Sequence, residues 1–195
     1  MIHFDRFDSP LGTLLATAED GALTGLYFSA QKYHPATTAG WIEDSDAQPF
    51  PLVRRQLEEY FAGRRRTFDF PMAPGGGRAT SFQQAIWMAI AAVPFGATTT
   101  YAQLAAECGR PTAARAAGAA TGRNPISVVI PCHRIVGGSG ALTGYAGGLP
   151  RKRALLGFER SITEGRNGAL CGLAPDDLFA TAEAKAPPAA MAPPG

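Results

Sequence analysis

Two short runs of strand-forming residues, 11–18 and 22–28, lie near the N-terminus on either side of a Glu-Asp-Gly turn. The Asp-Gly step is a strong hairpin signal, so the runs predict two antiparallel strands. Four apolar residues then recur at helical spacing before Gly63 and predict a helix packed on the sheet: Val53, Leu57, Tyr60 and Phe61. The pattern predicts a small α/β domain over residues 1–78.

A segment rich in proline and glycine, residues 71–77, ends this domain. Two prolines and three consecutive glycines favour a flexible connection. The glycines do not indicate a phosphate-binding loop, because the Gly-Lys-Ser/Thr ending and a preceding apolar strand are missing. We therefore place a domain boundary between residues 78 and 79.

Helical patterns dominate residues 79–160. Ser81 and Gln84 have the spacing of a capping box, and Pro94 ends the helix that they open. The apolar stripe of this helix is formed by four residues: Phe82, Ile86, Ile90 and Val93. Together with Trp87, these residues are predicted to belong to the core.

Two shorter helices are predicted next. Thr100 and Gln103 form a second capping box that opens a helix over residues 101–107, and Thr112 is expected to cap another helix that ends near residue 121. Two short helices across a tight turn suggest a helix-turn-helix motif. The second helix is nearly all alanine, so close internal packing without DNA is an open alternative.

Beyond residue 160 the chain becomes poor in bulky groups and ends in a stretch rich in alanine and proline. Such a composition cannot form a packed core, so residues 161–195 are predicted to be a disordered tail. Cys171 lies in this segment and is interpreted as an incidental exposed thiol.

Charge is distributed unevenly along the chain, whose formal net charge is +2. Residues 79–160 carry 8 basic and 2 acidic side chains, whereas the flanking segments are acidic on balance. A basic segment suits a polyanion such as nucleic acid, although a solvated basic face has the same composition.

Cysteine usage and hydropathy exclude several classes of protein. The three cysteines form no CxxC pair and the three histidines are scattered, which argues against a disulfide framework and against a metal site. No apolar run approaches the length of a membrane span, and the first residues lack the pattern of a secretory signal. We therefore expect a cytoplasmic protein with reduced thiols, no metal and no membrane association.

The strongest chemical signal is a cysteine next to a histidine, Cys132 and His133, after an apolar run over residues 126–130 that is compatible with a buried strand. A free thiol has a pKa of about 8.5, so it needs a neighbouring base or positive charge to act as a nucleophile. Adjacent side chains diverge, so His133 would act on Cys132 through water. A structural cysteine followed by a histidine in a turn is an equally weighted alternative.

The motifs of residues 80–160 resemble, in order, those of the methylated-DNA:protein-cysteine methyltransferases, or O6-alkylguanine-DNA alkyltransferases. The shared pieces are Phe82-Gln83 with Trp87, Pro94-Phe95-Gly96, Thr100-Tyr101, Ala113-Ala114-Arg115-Ala116, Gly122-Arg123-Asn124-Pro125, Ile130-Pro131-Cys132-His133-Arg134, Gly144-Tyr145-Ala146-Gly147-Gly148, and Lys152 through Glu159. The resemblance implies a ribonuclease H-like α/β N-terminal domain plus a mainly α C-terminal domain with a winged helix-turn-helix-like DNA-binding motif.

The same resemblance implies direct DNA repair. The alkyl group of O6-alkylguanine, and that of O4-alkylthymine, would pass irreversibly to Cys132 after the nucleotide is flipped out from the minor-groove side. Each molecule would act once, as a methylated-DNA:[protein]-cysteine S-methyltransferase without cofactor or small-molecule methyl donor. Its partner would be alkylated double-stranded DNA, and it would act as a monomer.

Catalytic roles follow from the resemblance by position. Cys132 would accept the alkyl group, His133 would act as its base through water, and Glu159 would orient His133. Tyr101 would rotate the target phosphate and donate toward N3 of the leaving guanine. From the residues alone, Glu159 is interpreted as a solvent-facing charge on a terminal helix.

The guanine pocket would use the main-chain carbonyls of Cys132 and Ile135 and the main-chain amide of Ala146. Tyr145 would form an apolar wall. Asn124 would brace the turn between the recognition helix and the active-site strand.

Arg115 would enter the base stack and fill the gap left by the flipped nucleotide. Three neighbouring residues complete the implied DNA interface: Ala114, Thr112 and Arg123. Arg134 is interpreted as structural. The zinc site that some relatives hold in the N-terminal domain is not expected, because no cysteine precedes Cys108.

Three other functions remain to be weighed. A lesion-sensing binding module of this type has tryptophan in place of the acceptor, which Cys132 argues against. A cysteine hydrolase would use His133 for an acyl intermediate and would show multiple turnovers on an ester or peptide. A transcriptional regulator of the adaptive response would need a cluster of metal-binding cysteines that this sequence lacks.

Overall fold

A four-stranded sheet organises the N-terminal half of the protein in a computed structural model, which describes residues 1–37, 39–166 and 170. Its strands are β1 (His3–Phe7), β2 (Leu14–Glu19), β3 (Ala22–Phe28) and β4 (Ile42–Glu43), in the order β3-β2-β1-β4. β2 pairs antiparallel with both β1 and β3, and β4 runs parallel to β1. Asp20 and Gly21 have φ angles of 49° and 74°, which a two-residue hairpin turn requires, so the predicted hairpin is confirmed.

Helix α1 (Phe50–Phe61) shares one hydrophobic core with this sheet. All four residues of its predicted apolar stripe are buried, so the helix inferred from their spacing is confirmed. Strand β1 was not predicted from the sequence. It carries two charged residues in the middle, but Asp5 is buried and accepts a hydrogen bond of 2.5 Å from Arg54 of α1.

The connection over residues 71–77 is not the flexible linker that its composition predicts. The amide of Leu23 donates to the carbonyl of Pro71, and the amides of Ala73 and Gly75 donate to the carbonyls of Leu23 and Thr24, each at 2.9 Å. Proline lacks an amide donor but keeps its carbonyl acceptor, so this segment can still bind the edge of β3. The connection is therefore fixed along the sheet.

The C-terminal half is mainly helical. Its helices are α2 (Ser81–Ala92), α3 (Tyr101–Glu107), α4 (Ala114–Gly122) and α5 (Leu149–Thr163), and a parallel pair of two-residue strands joins β5 (Thr99–Thr100) to β6 (Ile135–Val136). Helices α2, α3 and α4 pack on one another. The predicted pair of short helices across a turn is present as α3 and α4.

Two of the three predicted helix caps are displaced by one residue. Thr80, not Ser81, caps α2, because its hydroxyl accepts from the Gln83 amide while the Gln83 side chain accepts from the Thr80 amide. Ala113, not Thr112, precedes α4 and provides no side-chain cap, because its methyl side chain has no acceptor atom. The box of Thr100 with Gln103 is confirmed.

The run over residues 126–130 is not the strand that its apolar composition predicted. It meets β3 only at a single bridge between Leu26 and Ile126, and Val128 has a positive φ of 71° that interrupts any extended ladder. A short 3₁₀ helix, Cys132–Arg134, follows. The cysteine therefore lies at the start of a turn of helix, not at the end of a strand.

Helix α5 continues to Thr163, so the first three residues of the predicted tail are helical. Leu170 is buried, and its amide donates to the carbonyl of Phe61 at 3.0 Å. Cys171 and the rest of the predicted tail lie outside the described residues. Among the helices that are described, none combines the length and hydropathy needed to cross a membrane.

Replacing Gly63 tests how α1 ends. Gly63 has a φ of +75°, and a Cβ there would lie 2.7 Å from Cδ1 of Ile162. Gly63→Ala should therefore lower the free energy of unfolding by about 1–2 kcal/mol, measured by urea denaturation. Gly122→Ala is the matched control, because a Cβ at Gly122 meets nothing within 4 Å. Equal effects of the two changes would contradict this account.

Candidate active site

The 3₁₀ helix holds three polar or reactive side chains in the interior, against α5. Cys132, His133 and Arg134 are at most 5% exposed, and the 3₁₀ helix contacts α5. The sequence alone left open whether Cys132 is only a core residue. The side chains around Cys132 distinguish a structural role from a chemical one.

Asn124 contacts the cysteine directly. Its Nδ2 donates to Sγ of Cys132 at 3.0 Å and to the carbonyl of Ile130 at 2.7 Å, while its Oδ1 accepts from the amide of Ile126 at 3.0 Å. The side chain thus spans the turn between α4 and the 3₁₀ helix, which agrees with the bracing implied by the resemblance. Its bond to the thiol was not anticipated.

Glu159 is completely buried on α5, which overturns its interpretation from the residues alone as a solvent-facing charge. Its Oε1 accepts from Tyr60 Oη at 2.7 Å, from His133 Nε2 at 3.0 Å and from Arg134 at 2.8 Å. Its Oε2 accepts from Arg134 Nε at 2.9 Å and from the Gly96 amide at 3.0 Å. Burial raises the pKa of Glu159, but His133 and then Arg134 more than reverse this, so the carboxylate stays ionised.

His133 is held in one tautomer. A carboxylate can only accept, so Nε2 carries the proton toward Glu159 and Nδ1 is left as an acceptor. Within the described part of the chain, Nδ1 is buried without a hydrogen-bond partner. Burial lowers the pKa of His133, against the opposing effect of Glu159. The ring is therefore a neutral base whose basic nitrogen is free to take a proton.

The thiol of Cys132 is neutral at rest. Burial raises its pKa to about 11, although the hydrogen bond from Asn124 and the charge of Lys152 act in the opposite direction. A thiol in this state is a poor nucleophile until a base removes its proton. The free Nδ1 of the neighbouring neutral imidazole can supply that base through a water molecule.

Lys152 is a buried cation on the same face of α5 as Glu159. Its Nζ donates to the main-chain carbonyls of Ile135, Thr143 and Gly144. Burial lowers its pKa to about 8, and the Cys132 thiolate, when it forms, opposes this decrease. The ammonium group therefore remains charged near neutrality and favours the thiolate form of Cys132.

Two tyrosines lie beside the loop that contains residues 143–145. The Tyr101 hydroxyl donates to the carbonyls of Thr143 and Gly144 at 3.1 and 3.3 Å. The Tyr145 hydroxyl is buried without a partner among the described residues. Burial raises the pKa of both hydroxyls, so each stays protonated and can donate.

Two of the three main-chain groups assigned to the guanine pocket already accept a hydrogen bond. The Cys132 carbonyl accepts from the Ile135 amide, and the Ile135 carbonyl accepts from Lys152. At Ala146 the assigned group is the amide, whereas its carbonyl accepts from the Lys32 amide at 2.9 Å. A carbonyl has two lone pairs, so these contacts leave capacity for a ligand.

The residues assigned to DNA contact lie on α4 or at its two ends. Arg115, Thr112 and Arg123 are exposed, and Ala114 is partly buried at the start of α4. The Arg123 guanidinium stacks on the ring of Tyr33, 5.0 Å from its centroid. Their placement leaves them accessible to a large ligand, and their roles stay predictions.

Three groups of the site were given no role from the sequence. Lys152, Leu155 and Glu159 share the helical spacing of one face, so the burial of Lys152 was accessible from periodicity. The Gly96 amide and the Tyr60 hydroxyl carry no such signal, because they reach Glu159 from 63 and 99 residues away. No cluster of three or more metal-binding side chains is found within residues 1–37, 39–166 and 170.

Two short helices across a turn, next to a buried cysteine, histidine and glutamate, form the arrangement expected of a DNA-binding protein with a reactive thiol. The comparisons with known proteins agree. Residues 81–161 match the family described as 6-O-methylguanine DNA methyltransferase, DNA binding domain, and residues 2–74 match its ribonuclease-like domain. The chain belongs to the family of methylated-DNA–protein-cysteine methyltransferases.

Named relatives cover most of the chain. The Mycobacterium tuberculosis methylated-DNA–protein-cysteine methyltransferase is 45% identical over 161 residues, 83% of this chain and 94% of that protein. The Methanosarcina barkeri enzyme is 41% identical over 160 residues, 82% of this chain and 98% of that protein. The crystal structure of Mycobacterium tuberculosis OGT in complex with DNA has a TM-score of 0.79 and 40% identity, and covers 91% of this chain and 99% of that one.

The pH dependence of thiol labelling tests the state of Cys132. With a pKa of about 11, the labelling rate of Cys132 by iodoacetamide should rise about tenfold per unit between pH 7 and pH 9, because the ionised fraction does so. Mass spectrometry of the labelled peptide gives the rate, and the same peptide in urea-unfolded protein is the control. A plateau near neutral pH would instead indicate a preformed thiolate.

Proposed function

We propose that this protein repairs DNA by moving the alkyl group of O6-alkylguanine, and that of O4-alkylthymine, irreversibly onto Cys132. The observation that carries the proposal is the chain of buried contacts in which Asn124 holds the thiol and Glu159 holds His133. This set lies inside the segment that matches the family's DNA-binding domain. A structural cysteine would need neither a neutral imidazole nor a fully satisfied buried carboxylate beside it.

The transfer is a displacement at carbon. His133 takes the proton of the Cys132 thiol through water, and the thiolate attacks the carbon attached to O6. The S–C bond forms as the C–O bond breaks, and the electron pair leaves with the guanine. The Tyr101 hydroxyl, which donates to the carbonyls of residues 143 and 144 before substrate binds, then donates toward N3 of the guanine. This hydrogen bond offsets the negative charge of the departing base.

Each residue next to the thiol has a separate task. Glu159 fixes the tautomer of His133 and stabilises the imidazolium that forms. Lys152 favours the thiolate electrostatically. Asn124 holds both the sulfur and the turn that carries it, so the nucleophile is positioned before the flipped guanine enters the site.

The substrate reaches the thiol only when the nucleotide leaves the stack, which costs a few kcal/mol. Arg115 on α4 occupies the gap, and Ala114, Thr112 and Arg123 contact the adjacent backbone. The flipped base then lies between the carbonyls of Cys132 and Ile135, the amide of Ala146 and the ring of Tyr145.

The product is a thioether, which no group of the site can cleave. The protein is therefore consumed one molecule per lesion and uses no small-molecule methyl donor. We propose that it acts as a monomer in the cytoplasm, with residues 1–78 and 79–160 as its two domains. Alkylated double-stranded DNA is the partner.

Mass analysis tests reaction, stoichiometry and residue together. Incubation with duplex DNA containing O6-methylguanine should add one methyl group per protein, located on the peptide with Cys132. Cys132→Ala should abolish the gain and leave DNA binding intact, because Cys132 is buried, whereas Arg115, Thr112 and Arg123 are exposed for DNA contact. A methyl group on Cys108 or Cys171, or repeated turnover on an ester, would refute the proposal.

Replacing Arg115 separates flipping from chemistry. Arg115→Ala should slow repair of duplex DNA at least about tenfold, because the gap in the stack is no longer filled, which shifts a flipping equilibrium that already costs a few kcal/mol. Transfer from the free O6-alkylguanine base should not change. Arg55→Ala is the matched control, because it removes an arginine that is also exposed but lies on α1, in the N-terminal half. Unchanged duplex repair by Arg115→Ala would rule out the finger role.

A further inference from the structure

Tyr60 is the one contact to Glu159 that comes from the N-terminal half of the described chain. Its hydroxyl donates to Oε1 of Glu159 at 2.7 Å, a bond between residues 99 positions apart. The same oxygen receives His133 Nε2 and an Arg134 nitrogen. Tyr60 and the imidazole of His133 therefore both donate a hydrogen bond to Oε1 of Glu159.

The tyrosine ring cannot easily move. Tyr60 is completely buried, and four aromatic rings surround it with centroid distances of 5.2–6.0 Å: Phe61, Phe68, Phe95 and Phe158. Phe95 precedes Gly96, whose amide binds the other carboxylate oxygen. The hydroxyl is thus aimed at Glu159 by packing as well as by the hydrogen bond.

We propose that Tyr60 is a positioning residue of the alkyl-transfer site, whose hydroxyl neutralises part of the charge on Oε1 of Glu159 and so limits how strongly that carboxylate holds the proton of His133. The inference rests on the function proposed above. It gives the N-terminal domain a defined task in the chemistry of the C-terminal domain.

The direction of the effect follows from the acceptor. A carboxylate oxygen that loses one donor becomes a stronger partner for the donors that remain. Without the Tyr60 hydroxyl, Glu159 would stabilise protonated His133 more strongly and make the ring more basic. Because burial raises the pKa of Tyr60 well above its ordinary value, its hydroxyl keeps its proton and donates at every working pH.

The other charged groups around the pair limit what Tyr60 can change. Arg134 binds both oxygens of Glu159 and disfavours protonation of His133, and Lys152 acts on His133 in the same direction. Tyr145 and Cys132 are neutral at rest because burial raises the pKa of each. Arg134 and Lys152 remain in a Tyr60→Phe variant, so a change in His133 can be assigned to the missing hydroxyl.

The test is Tyr60→Phe, which removes one oxygen and keeps the ring. The imidazole of His133 is followed by NMR of protein carrying 15N-labelled histidine, which is practical because the chain has 3 histidines. The pKa of His133 should rise by about 0.5 unit or more. In parallel, the acid limb of the rate of transfer from free O6-alkylguanine should move to higher pH by the same amount. Tyr27→Phe, which removes the hydroxyl of a half-buried tyrosine on β3, is the control and should move neither.

The outcomes separate this inference from the proposed function. If Tyr60→Phe lowers thermal stability but leaves the His133 titration and the acid limb in place, the hydroxyl is only a structural contact and the inference fails. If the wild-type protein transfers no alkyl group while the NMR shift occurs, the proposed function fails and the coupling stands. If Tyr60→Phe does not fold, 3-fluorotyrosine at position 60, a stronger donor, should shift the titration downward; no shift would overturn the inference.

Discussion

The burial of one carboxylate is the constraint on which the site depends. An ionised carboxylate inside a protein is costly unless its oxygens are fully hydrogen-bonded. Glu159 meets this condition through donors from α1, from the turn after α2 and from the 3₁₀ helix. Three separate parts of the chain must therefore converge on α5 before the charge can be buried.

Once the carboxylate is in place, the state of the other groups follows. Its negative charge fixes the proton of His133 on Nε2 and leaves the opposite nitrogen basic. Burial keeps the thiol protonated, as the raised pKa of Cys132 indicates. The protein thus holds a masked nucleophile, which protects the thiol from unwanted reactions until a substrate and a path for the proton are both present.

The sequence predicted the elements with strong local signals, and missed contacts that depend on distant residues. The hairpin at Asp20-Gly21, the box of Thr100 with Gln103 and the stripe of α1 are set by neighbours in sequence, and all are confirmed. The strand predicted before Cys132 was wrong because Val128 has a positive φ and Asn124 binds the backbone on either side of it, at Ile126 and Ile130. The importance of Cys132 and His133 came from their adjacency, but the links to Tyr60 and Gly96 needed the fold.

The bonding along β3 has a consequence for the sheet as well as for the site. β3 is the last strand of its sheet, and an open edge of this kind offers unpaired backbone groups to another chain. Here the connection at Met72 and the segment at Ile126 occupy that edge. The stretch of backbone that leads to the reactive cysteine thus also covers part of one edge of the sheet, so a change in this stretch acts on the sheet as well as on the site.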